Sequence, residues 1–184
     1  KQWVDMGMKG AAEEGWADDM AELLTAAHGT GDAALMQETN TAYKRWVDVG
    51  MKGAAENGKA GAMAILLTTV HRTGDAALIQ KTNTACGQWV EALIQKINTA
   101  CGQGVDVDMR GIAEKGCANK MARLLTAVHE TGDAALKAAT QASCNSIPNL
   151  DALRSKDTKL DQALKLYDPS PRRSAPALQQ SAFC

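Results

Sequence analysis

The sequence predicts an all-α fold, built as a helical-repeat array of three units of about 43 residues with a C-terminal capping helix. The phrase AAEEGWADDMAELLTAAHGTGDAAL at 11–35 returns with few changes at 54–78 and more loosely at 112–136. Apolar residues within each copy recur at i, i+3, i+4 and i+7, the period of an amphipathic helix. No proline precedes Pro148, so long helices are permitted.

The units are expected at 3–45, 46–88 and 104–146, within residues 1–147. The first two begin WVDMGMKG and WVDVGMKG and match at about two thirds of their positions. The third begins GVDVDMRG and is displaced, because ALIQKTNTACGQWVE at 77–91 is followed directly by ALIQKINTACGQGVD. This tandem duplication near 89–103 adds 15 residues, slightly more than four helical turns, so we expect one longer helix to absorb it.

A TGD tripeptide marks the boundary between helices in each unit. Its glycine (Gly31, Gly74 or Gly132) suits the left-handed position after a helix, and the following aspartate suits an N-cap. The stretch from Asp32 to Glu56 is expected to form one helix. After the third unit, 148–168 is interpreted as one amphipathic capping helix, and the Pro-, Ser- and Arg-containing residues 169–184 as a flexible tail.

Comparison of the three copies separates a constant helix face from a varied one. Leu23 and Leu24 stay apolar in every copy, whereas the positions of Asp18, Asp19, Glu22 and Gly29 change. The varied face runs from acidic in the first copy to basic in the third. It predicts a partner-binding surface made of Trp16, Asp18, Asp19, Glu22, Lys59, Ile65, Arg72, Lys120, Arg123 and Glu130. Ordinary solvent-exposed surface, which also varies freely, is the alternative.

The run AAEEGWADDMAELL resembles the helical half of an ankyrin repeat, with two alanines, a following glycine and paired leucines. The unit lacks the ankyrin TPLH tetrapeptide and is about ten residues longer than the ankyrin period, so its length is closer to HEAT or armadillo repeats. The resemblance covers residues 3 to about 144. It implies an α-solenoid whose function is protein binding.

No catalytic, metal-binding or cofactor-binding motif is found. His28, His71 and His129 each lie in H-x-T-G-D at a helix end, where we expect them to cap carbonyl groups and not to ligate a metal. The repeated tryptophans Trp3, Trp46 and Trp89 are expected to pack between helices. The five cysteines include no CxxC pair and are interpreted as unpaired thiols in a reducing compartment, with a zinc site as the less favoured alternative.

The expected function is a non-catalytic protein–protein interaction module located inside the cell. A net charge of −1 gives no field for a polyanion, and no apolar run has the length of a membrane span, so neither nucleic acid nor membrane is expected as a partner. The charge gradient also allows self-association. Two alternatives stay open: a pathogen effector that binds a host protein in the host cytosol, and a helical enzyme whose Asp and His residues converge in one pocket.

Overall fold

The computed structural model describes residues 2–102, 107–147 and 150–167, and throughout these ranges the chain is helical with short connections. The all-α prediction is confirmed. No helix within these ranges has the length and apolar character that crossing a membrane requires. The helices are α1 Gln2–Glu13, α2 Ala17–Gly29, α3 Ala33–Glu56, α4 Ala60–Thr73, α5 Ala76–Gly102, α6 Val107–Glu130, α7 Ala134–Asn145, α8 Leu150–Lys156 and α9 Thr158–Lys165.

The helices pack in two rows that alternate along the chain. In the first row α1 packs on α3, α3 on α5 and α5 on α7. In the second row α2 packs on α4, α4 on α6 and α6 on α9, while α8 contacts both α6 and α9. Helices that follow one another in the chain also touch, so both rows enclose one hydrophobic core.

Two glycines bring the turn between α1 and α2 against the backbone of α3. Gly15 has a φ of +65°, a conformation that L side chains rarely adopt. A Cβ built on Gly53 would lie 2.8 Å from the Cα of Gly15, closer than real Cβ contacts come. Met20 packs in the same way against Gly50. The spacing between the first two hairpins therefore depends on the absence of side chains at these positions.

The predicted boundaries at the TGD tripeptides are confirmed. Gly31 has a φ of +70°, and its copies have nearly the same value. The carboxylate of Asp32 accepts hydrogen bonds from the backbone N–H groups of Ala34 (2.8 Å) and Leu35 (3.1 Å), and Asp75 and Asp133 cap the next helices in the same way. The helix expected from Asp32 to Glu56 forms as α3, with Asp32 as its N-cap.

The third predicted unit, 104–146, does not repeat the first two. Gly15 and Gly58 end the first helix of their hairpins in the left-handed conformation, whereas Gly116, the corresponding glycine, lies inside the unbroken α6. The duplication explains the difference: α5 has 27 residues against 24 in α3, and the chain has already passed to the second row when α6 begins at Val107. The first half of the third copy therefore extends a second-row helix.

The capping helix predicted at 148–168 is two helices. Asp157 separates α8 from α9, because its carboxylate accepts from the backbone N–H groups of Lys159 and Leu160, both at 2.9 Å, and so starts a new helix. Leu160 is fully buried, and the Tyr167 hydroxyl donates to the carbonyl of Leu125 at 2.7 Å. The segment thus covers α6 as expected. The tail predicted at 169–184 lies outside the described residues.

Candidate functional site

A groove of about 890 Å³ lies along α4, α6 and the end of α9. Small buried side chains, among them Ala64, Ala122 and Ala163, make up part of its lining and leave the depression open. Two large apolar side chains also line it, Ile65 at 44% exposure and Leu166 at 46%. The groove therefore offers apolar contact area that the described part of the chain leaves uncovered.

Six residues of this groove stand at positions that differ among the copies. The varied positions i, i+4 and i+11 recur on α4 and on α6, and these two helices pack side by side. Both sets therefore line the same depression, which we call the α4–α6 groove: Gly61, Ile65 and Arg72 from α4, with Asn119, Arg123 and Glu130 from α6. Comparison of the sequence with itself thus singled out six of the residues that line this groove.

The varied position at i+1 does not belong to the groove. Its second-copy residue, Ala62, is 8% exposed and belongs to the core, because one residue along a helix turns the side chain by about 100°. Lys120, its third-copy residue, is exposed and does not line the α4–α6 groove. The prediction that Lys120 belongs to the same surface as Arg123 is therefore wrong for this groove.

The first copy contributes to a different depression. Trp16, Asp19 and Glu22 line a hollow of about 580 Å³ between α1 and α2. Asp18 is partly buried and lines neither depression, and Lys59 places its ammonium 5.9 Å from the Trp16 ring centroid. Three of the predicted partner-binding residues therefore line an acidic hollow at one end of the rows and four line the α4–α6 groove toward the other, while Asp18, Lys59 and Lys120 line neither.

The α4–α6 groove carries more positive than negative charge. Arg72, Arg123 and Lys159 line it together with one carboxylate, that of Glu130. Among the described residues, none of these three cations is engaged in an ion pair. Sequence reasoning missed Lys159 and Leu166, because it treated the last helices only as a cover. The groove suits a ligand that combines carboxylates with apolar side chains.

His28 and His71 bind side chains and not the helix-end carbonyls that we expected. The Nε2 atom of His28 lies 3.0 Å from Oδ1 of Asn40, and the Nδ2 of Asn40 donates to the TGD aspartate of the next unit, Asp75, at 3.3 Å. The same link recurs in His71, Asn83 and Asp133, at 3.2 and 3.1 Å. The repeated TNT triplet that holds each asparagine is the sequence signal for this bond.

The threonine of H-x-T-G-D binds the carbonyl in place of the histidine. The Thr30 hydroxyl donates to the carbonyl of Ala27 at 2.7 Å and accepts from the N–H of Asp32, and the other two copies repeat both bonds. In each His–Asn–Asp link an amide separates the imidazole from the carboxylate. The groups therefore lack the direct contact by which a carboxylate orients a catalytic imidazole.

The link from Asn83 also affects the pKa of Asp133. The backbone N–H of Leu136 and the amide of Asn83 hold the pKa of Asp133 below its ordinary value, against the opposing effect of burial. The carboxylate is therefore ionised at neutral pH, the form that caps α7 most strongly. His129, in the last copy, meets the Tyr167 ring edge-on at 6.1 Å between centroids.

Two of the three repeated tryptophans pack between helices as predicted. Trp46 donates from Nε1 to Asp5 at 3.1 Å, and the ammonium of Lys9 lies 5.7 Å from its ring centroid. The ammonium of Lys52 lies 5.6 Å from the ring centroid of Trp89 in the same way. Trp3 is instead 82% exposed, because none of the described helices covers that side of α1. The packing prediction is therefore wrong for Trp3.

The cysteines differ from the expectation of five unpaired thiols. Cys86 and Cys144 are free and buried, and burial raises the pKa of each thiol to about 12, so both remain neutral. Cys117 is disulfide-bonded. In the described part of the chain, no three His, Cys, Asp or Glu side chains are grouped as metal ligands would be.

Comparisons of the chain with protein-family models, with curated proteins and with solved structures gave no significant match.

Proposed function

We propose that the chain is an α-solenoid protein-interaction module whose α4–α6 groove binds an acidic, amphipathic segment of a partner protein. One observation carries the proposal: six varied positions from two sequence copies, two of them arginines, line one groove together with Lys159. Random drift of exposed residues would not by itself gather varied positions around a depression that also exposes Ile65 and Leu166.

The packing of the helices supports the solenoid part of the proposal. Like contacts recur from one hairpin to the next: Trp46 packs on α1 as Trp89 packs on α3, each under a lysine. The two His–Asn–Asp links join successive units in the same manner. Solenoid proteins bind partners along extended surfaces that such regular stacking creates.

The chemistry of the groove defines the partner segment. Small side chains in the lining accept protruding apolar residues, and Ile65 and Leu166 add contact area. The guanidinium groups of Arg72 and Arg123 bind carboxylates in a paired geometry that lysine cannot match. A helix with Asp or Glu beside a Leu or Met stripe satisfies both requirements.

Selection from a displayed library of helical peptides tests this proposal on the whole chain. We expect enriched peptides that are acidic on one side and apolar on the other. Replacing Arg123 by Glu should weaken their binding about tenfold or more, because a charge-assisted contact becomes a repulsion. Titration followed by fluorescence anisotropy measures the change.

Lys120→Glu provides the matched control, since Lys120 is exposed on the same helix but does not line the groove. It adds the same charge and should change affinity less than about threefold. Equal losses in both variants would mean that overall charge attracts the peptides, and selection of basic or purely polar peptides would also contradict the proposal.

A further inference from the structure

The outer side of the first hairpin exposes an unusual amount of apolar surface. Trp3 is 82% exposed, Met6 55% and Trp16 46%. Gly7 and Gly10 lie among them on α1, and the hollow between α1 and α2 is lined by Met6, Gly7, Gly10, Trp16 and Leu23. We call Trp3 and these five residues the N-terminal face.

Trp3, Gly7, Gly10 and Leu23 of the N-terminal face have counterparts 43 residues later that pack against neighbouring helices, whereas Val49, the counterpart of Met6, is 38% exposed. Trp3 corresponds to Trp46, which packs on α1. Leu23 is only partly buried, whereas its counterpart Leu66 is fully buried. At Trp3 and Leu23, the N-terminal face therefore leaves exposed a surface that is covered at the corresponding residues of the second unit.

The glycines of the second unit show which groups pack against the equivalent surface inside the chain. In the second unit, Gly53 meets the backbone of Gly15, and Gly50 meets Met20, which follows Gly15 by five residues. In the first unit, a Cβ added at Gly10 would meet no described residue within 4 Å, and among these residues one at Gly7 would meet only Leu23, at 3.8 Å. The space that a glycine turn and a methionine fill inside the chain is thus open at the N-terminal face.

The charges in the hollow disfavour a second copy of the chain bound face to face at the N-terminal face. Asp19 and Glu22 line the hollow, so two identical faces joined by a two-fold axis would bring four carboxylates together. Inside the chain, the helix packed against Trp46 instead presents Asp5 and Lys9, four residues apart, to that ring.

We propose that the N-terminal face is a docking site for one further helix–turn–helix hairpin of the chain's own repeat type. The occupant presents an Asp and a Lys four residues apart to Trp3, a left-handed glycine turn to Gly10, and a methionine to Gly7. The interface within the chain, between the first hairpin and α3, supplies the geometry for each contact.

The test uses a chain extended by a copy of residues 3–45 placed directly before Trp3, which supplies such a hairpin at high effective concentration. Gly10→Ala in the original chain should raise the melting temperature by about 2–4 °C, because alanine is the better helix former and the site is open. In the extended chain the same change should lower it by about 5 °C or more, because the new methyl group collides with the docked turn.

Gly53→Ala is the internal control and should lower the melting temperature of both chains, since Gly53 already meets Gly15. A rise for Gly10→Ala in the extended chain would overturn the proposal. So would a dimer of the original chain, detected by sedimentation, that Gly10→Ala dissociates, because a second copy would then occupy the face. Should the extended chain not fold, binding of a peptide of residues 2–31 to the original chain is measured instead. A tenfold loss of affinity when the original chain carries Gly10→Ala supports the proposal, and an unchanged affinity overturns it.

Discussion

Single residues in this chain combine two structural tasks, and the TGD aspartates are the best example. Asp75 caps α5 and also accepts the amide of Asn40 from the preceding unit. Asp133 does the same for α7 and Asn83. Each aspartate therefore joins the start of one helix to the flank of another, and the link runs through the side-chain amide of an asparagine, which is partly buried at Asn40 and buried at Asn83.

Replacing Asn83 by Ala should lower the free energy of unfolding by about 1–3 kcal/mol, because His71 and Asp133 both lose a bond in a partly desolvated site. Asn40→Ala removes the same bonds at a more exposed position and should cost less. Urea denaturation of both variants measures the difference. Equal costs, or a cost for Asn83→Ala below about 0.5 kcal/mol, would contradict a stabilising role for the link.

Residue types and spacing predicted the caps but not these links. Asp after Gly at a helix boundary has one common structural use, so the N-caps could be predicted. The partner of a histidine depends on which helix packs beside it, and periodicity alone does not state that. The TNT repeat shows only in retrospect why asparagine recurs there.

At the scale of helices, the length of α5 decides how the third sequence copy is used. It packs on α3 and α7 as expected for a first-row helix, and it continues through the duplicated segment to Gly102. The sequence predicted this long helix. It did not predict that Gly116 would lie inside α6. The corresponding glycine ends a helix in the first two copies, but in the third copy the chain has already passed to the second row before Gly116, and a glycine is tolerated within the helix.

Gly116→Ala should therefore change stability with opposite signs in two chains. In the natural chain it should stabilise by about 0.5–1 kcal/mol, because Gly116 is an exposed helical residue with open space around it. Deleting residues 92–106 joins WVE to VDMRGIAEKG and restores the spacing of the second unit. Gly116 then takes the left-handed turn position, and alanine should cost about 1–2 kcal/mol.

Chemical denaturation of the four proteins measures this reversal. Gly58→Ala serves as the control, since Gly58 has a φ of +66° and should be sensitive in both chains. The same sign for Gly116→Ala in both chains would show that the duplication does not decide the turn.

At the scale of the whole molecule, the last two helices cover the end of the second row. Leu160 is fully buried in α9, and α9 packs on α6. The amphipathic pattern predicted such a cover from the leucine spacing. It did not predict the break at Asp157 or the contribution of Leu166 to the α4–α6 groove, because both depend on where the helix settles against its neighbours.

Leu160→Ala should lower the free energy of unfolding by about 2–5 kcal/mol, as expected for a buried leucine that leaves a cavity. Leu166→Ala is the matched control and should change it by less than about 0.5 kcal/mol, because Leu166 is largely exposed. Thermal unfolding monitored by circular dichroism compares them. A small effect of Leu160→Ala would mean that α9 is not part of the cooperative fold.

The Asn83–Asp133 bond spans 50 residues, whereas its first-unit counterpart spans 35, and the difference equals the duplicated segment. The added residues therefore leave the Asn–Asp bond at the TGD tripeptide in place and lengthen only the stretch of chain between Asn83 and Asp133. The helix ends at the TGD tripeptides keep the same contacts despite the insertion. We therefore expect related sequences of different length to carry their insertions at the opposite helix ends, away from the aspartates.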